Sequence, residues 1–245
     1  MNADTDTPDH SLNELRAPRQ HRRDAVPHRR PTGLLLDFGS VISVSVFERH
    51  RETESILGLP LGSLTWLGPI DLSTDDLWAA MQRDEITERE YWARRAQELG
   101  RLVGESDWDV TTMLHRIRQV DPNDVVRPQL RSLIQTARSR GIRVGILSNE
   151  LELFYGKDFL AKMDVLSDMT TIVDASNTGI LKPDPRAYAS AIEGMEMPAE
   201  DILFVDDQFR NIVGAVKAGL QAHFWDMRDI PGNLAAIAAR LQFSL

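Results

Sequence analysis

A doubly wound α/β fold carrying a small all-helical insertion is the architecture this sequence predicts, and three observations predict it. Short, nearly continuous apolar runs recur at residues 33–36, 142–147, 171–173, 202–205 and 222–225, the pattern of strands buried on both faces. From residue 128 onward these runs alternate with helical segments, the rhythm of a parallel sheet covered on both sides. Between the first run and the second lies a long interval whose clear periodicities are all helical.

Taken in order, residues 1–31 come first, with Pro8, Pro18, Pro27 and Pro31 and no apolar periodicity to hold them down, so a disordered tail is expected. The first strand, Gly33-Leu34-Leu35-Leu36, ends at Asp37. The insertion is placed at 47–126. Within it Leu77, Trp78 and Met81 fall at helical spacing over 75–82. Thr87 and Glu90 form a capping box before 91–99, with Gly100 as a stop. Ser106 and Asp109 give a comparable start before 110–117.

The α/β body is then 32–46 joined to 127–245, a Rossmann-like sheet interrupted once. A helix over 128–140 stops at Gly141, and strand 142–147 follows. After it come helix 151–163, strand 171–173, helix 185–195, strand 202–205, helix 208–218, strand 222–225 and helix 234–241. Asp184 before Pro185 supplies an N-cap and a first helical residue.

A chain of 245 residues with 42% hydrophobic content can bury one large core and a smaller one beside it. Its net charge of −9 opposes a nucleic-acid or anionic-membrane footprint and favours a small-molecule partner. The absence of cysteine excludes disulfides, thiolate metal sites and a cysteine nucleophile. No apolar run approaches the roughly 18 residues of a membrane span, and no signal-peptide pattern occurs, so a soluble cytoplasmic protein is expected. Oligomeric state is not legible.

Four segments carry the chemistry. Asp37 follows the first strand, Ser148-Asn149 the second and Asp206-Asp207 the run 202–205, while Lys182 lies in Leu181-Lys182-Pro183-Asp184-Pro185. Strand ends of an open parallel sheet converge on one crevice. Three carboxylates, an ammonium and a hydroxyl would share it, and like charges so close repel by several kcal/mol in a low dielectric unless a divalent cation joins them. The set reads as a Mg²⁺ site built to receive a phosphate.

In this order the four segments resemble the haloacid dehalogenase-like hydrolase superfamily, over about residues 33–226, and the insertion resembles that superfamily's helical cap after the first motif. The resemblance implies Asp37 as a nucleophile that forms an aspartyl phosphate, and a small phosphorylated metabolite as substrate. It implies Mg²⁺ held by Asp37, the backbone carbonyl of Gly39 and the acidic pair, with Asp207 as the direct ligand and Asp206 behind it. Ser148 and the amides beside Asn149 would bind the phosphoryl oxygens, and Lys182 would neutralise charge between Asp37 and phosphate. Asn211, one turn after the acidic pair, is a candidate to orient it.

One position departs from the pattern. Many phosphatases of this superfamily have an acid/base Asp two residues after the nucleophile; here that residue is Gly39. Loss of a positioned acid/base costs about 10²–10⁴ in rate. Glu48, near the entrance to the insertion, is one candidate to replace it. The gap also admits a non-catalytic or regulatory binding protein, and the Asp nucleophile admits a metal-independent 2-haloacid dehalogenase. Phosphomutase chemistry needs the missing acid even more than hydrolysis does.

Other motifs fail: Gly156-Lys157 lacks the upstream glycine of a P-loop, that position being Leu151, and no Gly-x-Ser-x-Gly elbow occurs. His50, His115 and His223 are too scattered for a ligand set. Trp66, Trp78, Trp92, Trp108, Tyr91 and Met81 read mainly as helical core, with one or two on the cleft. Arg49, His50 and Arg51 are either a substrate-anion contact or a solvated helix start.

Overall fold

The computed structural model describes residues 29–118 and 120–243, so the tail expected over 1–31 lies outside the described residues except for its last three. Five parallel strands form one sheet in the order β3-β2-β1-β4-β5. These are β1 (Gly33–Leu36), β2 (Arg143–Ser148), β3 (Thr171–Asp174), β4 (Ile202–Asp206) and β5 (Gln221–Phe224). The order reverses at β1, whose two neighbours are β2 and β4. Strand ends on either side of such a reversal open a crevice, and here they belong to Asp37, Ser148 and Asp206.

Alternation along β1 explains why the run is wholly apolar. Leu34 and Leu36 join one buried cluster with Val144, Ile146, Leu203 and Val205, while Leu35 joins another with Leu147 and Phe204. The first cluster is covered by α5 (Pro128–Ser139) and α11 (Ile230–Leu241), the second by α9 (Pro185–Met195) and α10 (Phe209–Lys217).

Between β1 and α5 the chain leaves the sheet layer and forms α1 (His50–Leu57), α2 (Asp76–Gln82), α3 (Glu88–Leu102) and α4 (Val110–Ile117). The capping box at Thr87 and Glu90 is present at the start of α3, and Asp109 caps α4. These helices enclose a core of their own, in which Phe47 meets Trp66 and Trp78 edge to face with ring centroids 5.7 and 5.2 Å apart. The chain goes out and returns at one place, where Ser43 and Val126 form an antiparallel bridge.

Two elements differ from expectation. The helix expected over 151–163 is two short pieces, α6 (Leu151–Tyr155) and α7 (Lys157–Leu160), because Gly156 at φ 72° and ψ 152° breaks the helical path. α8 (Ala175–Thr178) adds one turn after β3. The last helix begins four residues early, since Pro231 fits the first turn that Asp229 caps. Among the described residues no helix is long and apolar enough to cross a membrane.

Candidate active site

Asp37 leaves the end of β1 in an extended conformation, its amide donating to the Val205 carbonyl at 2.9 Å. Lys182 Nζ lies 2.8 Å from Asp37 Oδ1 and 2.7 Å from Asp206 Oδ2, with all three side chains buried. One ammonium therefore bridges the ends of two adjacent strands. Its backbone is held in turn by Asn149, whose Oδ1 accepts from the Lys182 amide at 2.7 Å while Nδ2 donates to the Lys182 carbonyl at 3.3 Å. The Asn149 side chain is thus occupied in placing Lys182.

Asp206 is saturated with donors. Its Oδ1 accepts from the Gln208 amide at 2.8 Å and from Asn211 Nδ2 at 3.0 Å, and its Oδ2 from Lys182 and from Asn211 at 3.1 Å. The orienting position foreseen for Asn211 is this one. Asp207 is buried beside it, and its carboxylate accepts no hydrogen bond from a described residue. Carboxylate oxygens of Asp37, Asp206 and Asp207 lie within 4.8 Å of one another.

Charge at the cluster is out of balance. Burial, opposed by Lys182 and reinforced by Asp206 and Glu88, pushes the Asp37 carboxyl up to about 7. Burial and the neighbouring Asp206, Asp37 and Glu88 raise Asp207 well above the carboxylate range. Burial works against the Lys182 ammonium, but Asp206 and Asp37 outweigh it and hold its pKa above the ordinary lysine value. Three acids against one cation leave room for positive charge, and an all-oxygen donor set suits a hard divalent ion. Of the three carboxylates, those of Asp37 and Asp207 are less occupied by donors than that of Asp206.

The surrounding chamber, about 80 Å³, is walled by Ser148, Gln208, Phe47, Trp78, Trp92 and Phe154 among others. Trp78 and Trp92 are the helical-layer tryptophans that reach the cleft, whereas Trp66, Trp108, Tyr91 and Met81 are buried in that layer's core. Two further acids line the chamber, Glu88 and Glu150. Glu150 is paired with Arg89 at 2.7 Å. Glu88 approaches Asn149 Nδ2 at 3.4 Å and has no ion-pair partner among the described residues. Sequence reasoning missed Glu88 because an acid just after a capping threonine is an ordinary helix start.

Glu48 is elsewhere. Arg127 grips both of its carboxylate oxygens, at 2.8 and 2.7 Å, and also donates to the Ser40 carbonyl at 3.0 Å, so Glu48 holds the loop after β1 and is no acid/base candidate. Burial would raise its carboxyl, but hydrogen bonds from Arg127 and Ser45 prevail and leave its pKa below the usual value. Asp184 caps α9, accepting from the Arg186 amide at 2.9 Å.

Comparison with known proteins follows the same lines as this geometry. The haloacid dehalogenase-like hydrolase family matches residues 32–219, most of the described chain. The chain belongs to that family. As a haloacid dehalogenase-like hydrolase it is 35% identical over 100 residues to Phosphatase MT3486 of Mycobacterium tuberculosis (strain CDC 1551 / Oshkosh), a match covering 40% of this chain and 46% of the relative. The hydrolase thus aligns with less than half the length of that relative. In fold it is similar to the putative HAD-hydrolase YfnB from Bacillus subtilis, a structure bound to magnesium, with TM-score 0.64 and 18% identity over 88% of this chain and all of the other. It is also similar to a hydrolase from Streptococcus pneumoniae TIGR4, with TM-score 0.51 and 16% identity over 80% and 94% of the two chains.

Proposed function

We propose that this hydrolase is a Mg²⁺-dependent phosphomonoesterase that acts on a small phosphorylated metabolite through an aspartyl phosphate at Asp37. One observation carries it: three buried carboxylates converge around a single ammonium, an arrangement that repels itself until a dication and a phosphate complete it. The phosphatase name of the Mycobacterium tuberculosis relative and the magnesium in the YfnB structure point the same way. A metal-independent dehalogenase would gain nothing from Asp207, whose buried carboxylate only adds repulsion. The cytoplasmic setting inferred from composition suits such a substrate.

Bound Mg²⁺, held by Asp37, Asp207 and the Gly39 carbonyl, would draw charge from the phosphoryl oxygens. The chain's own groups do the rest. Lys182 keeps the Asp37 carboxylate ionised and aimed at phosphorus, while Ser148 and the amides beside Asn149 hold the phosphoryl group in line. Asp37 forms a bond to phosphorus as the ester oxygen departs, and Glu88 gives that oxygen its proton. Water then attacks phosphorus, passing its proton to Glu88, and Asp37 is released with inorganic phosphate. Glu88 takes the part left vacant at Gly39 because, among the described carboxylates lining the chamber, it is the one with neither an ion-pair partner nor a place in the metal-binding cluster.

Phosphate release from sugar phosphates, nucleotides and p-nitrophenyl phosphate, with and without Mg²⁺, tests the assignment. Metal-dependent turnover that Asp37→Asn abolishes is expected. Halide release from 2-haloacids without metal would replace it with the dehalogenase, and Mg²⁺ binding without any turnover with a binding protein.

A further inference from the structure

A second chamber of about 90 Å³ opens beside the catalytic one, and no step described above uses it. The two share Gly39, Ser40, Phe47, Trp92, Phe154 and Tyr155 in their walls, so they adjoin. A Cβ at Gly39 would meet no atom within 4 Å. The position where the usual acid would stand is therefore open space and belongs to the walls of both chambers.

The polar lining of the second chamber is rich in donors. Arg118, just past α4, donates from Nη1 to the Phe154 carbonyl at 2.7 Å, and its guanidinium lies 4.0 Å from the Tyr155 ring centroid. It has no carboxylate partner among the described residues. Burial lowers its pKa, which Tyr155 opposes and the nearby Arg49 reinforces. Arg49 lines the same chamber, bonded to the Asp124 carbonyl at 2.8 Å and paired with Glu52 at 3.5 Å. Glu52 is the one carboxylate in this lining, and Arg49 engages it. Ser43 and Thr53 are more than nine-tenths buried, and their hydroxyls make no hydrogen bond to any described residue. Two cations and two idle hydroxyls, with one acid already engaged, form a site short of an acceptor.

We propose that the second chamber binds a second anionic group of the substrate, a carboxylate or a phosphate, through Arg118, Arg49, Ser43 and Thr53. The substrate class, resting on the phosphomonoesterase assignment of the adjoining chamber, is a short phosphomonoester with an acidic far end. Its scissile phosphate sits at Asp37, its backbone passes Gly39 and its far anion meets Arg118. A neutral alcohol of equal length would leave the arginine without its acceptor.

Three ligands that resist hydrolysis test this on the intact protein with Mg²⁺: propylphosphonate, 3-phosphonopropionate and propane-1,3-diphosphonate, followed by calorimetry. The two doubly acidic ligands are expected to bind at least about tenfold more tightly than propylphosphonate, and the tighter of the two identifies carboxylate or phosphate as the far group. Arg118→Ala should bring their affinities down to that of propylphosphonate, and Arg118→Lys should restore part of the difference. Ser43→Ala, a smaller change, should lower both affinities severalfold. Equal affinity of all three ligands for the wild type would overturn the proposal, as would an advantage that survives Arg118→Ala. Release of phosphate from p-nitrophenyl phosphate, measured in parallel, separates the two claims. Its absence with the affinity difference intact counts against the phosphomonoesterase alone; its presence with equal affinities counts against the anion chamber alone.

Discussion

Asp206 and Asp207 are neighbours with opposite surroundings. Asp206 spends both oxygens on Lys182, Asn211 and the Gln208 amide, so it fixes the ammonium and has little left to offer. Asp207 is buried without such donors, and burial together with its acidic neighbours disfavours its charged form. Removing its charge should therefore cost the metal-free protein no stability while removing a ligand. We expect Mg²⁺ at about a hundred times its Kd to stabilise the wild type by about 2.7 kcal/mol, a shift of about 5–10 °C in Tm for a chain of this size. Asp207→Asn should abolish most of that shift without lowering the metal-free Tm. Thermal scans of both proteins with and without Mg²⁺ check it, and a full Mg²⁺ response in the variant would move the ligand role to another oxygen.

At the scale of elements, the loop after β1 is fixed from outside its own segment. Arg127, at the N-cap of α5, reaches the Ser40 and Ser43 carbonyls and grips Glu48, tying the loop that follows Asp37 to the point where the chain returns from the helical layer. Glu48 has a folded pKa below its unfolded value, so its contribution is present above the ordinary glutamate pKa near 4.5 and is lost as pH falls through the depressed folded value. Glu48→Gln should cost about 1–3 kcal/mol at pH 7, between exposed and buried pairs because Glu48 is partly open to solvent. The gap from wild type should narrow as the solution is acidified below pH 4.5, as urea unfolding at several pH values would show.

The strands, the acids at their ends and the capping box of α3 were legible in the sequence because each is a local pattern. The partner of Glu48 was not, since Arg127 reaches it only through the fold. The break at Gly156 was missed because a lone glycine in a helical pattern is often tolerated. Residues 43, 49, 53 and 118 meet in one chamber only after the helical layer has folded back over the loop, so no spacing rule could have grouped them.

At the scale of the molecule, the chemistry is divided between two layers. Asp37 and the acidic pair sit at the ends of sheet strands and Lys182 on the loop before α9, whereas Glu88 begins α3 in the helices above. Two ion pairs between the layers flank Glu88 in sequence: Arg89 with Glu150 at 2.7 Å and Asp84 with Arg210 at 2.9 Å. If Glu88 protonates the departing oxygen, its loss should matter most where that oxygen is a poor leaving group. Glu88→Gln is expected to lower kcat on an alkyl phosphate by about 10²-fold or more while affecting p-nitrophenyl phosphate far less. Equal losses on both would assign Glu88 to positioning alone.

The aromatic composition of the helical layer has an optical consequence. Four of the chain's five tryptophans, Trp66, Trp78, Trp92 and Trp108, lie in that layer, and two of them face the chamber, while Trp225 alone is packed in the core beneath. Intrinsic emission from this protein is therefore weighted towards the half that covers the ligand. Quenching or a spectral shift on titration reads out occupancy directly, with no label attached and no dependence on turnover.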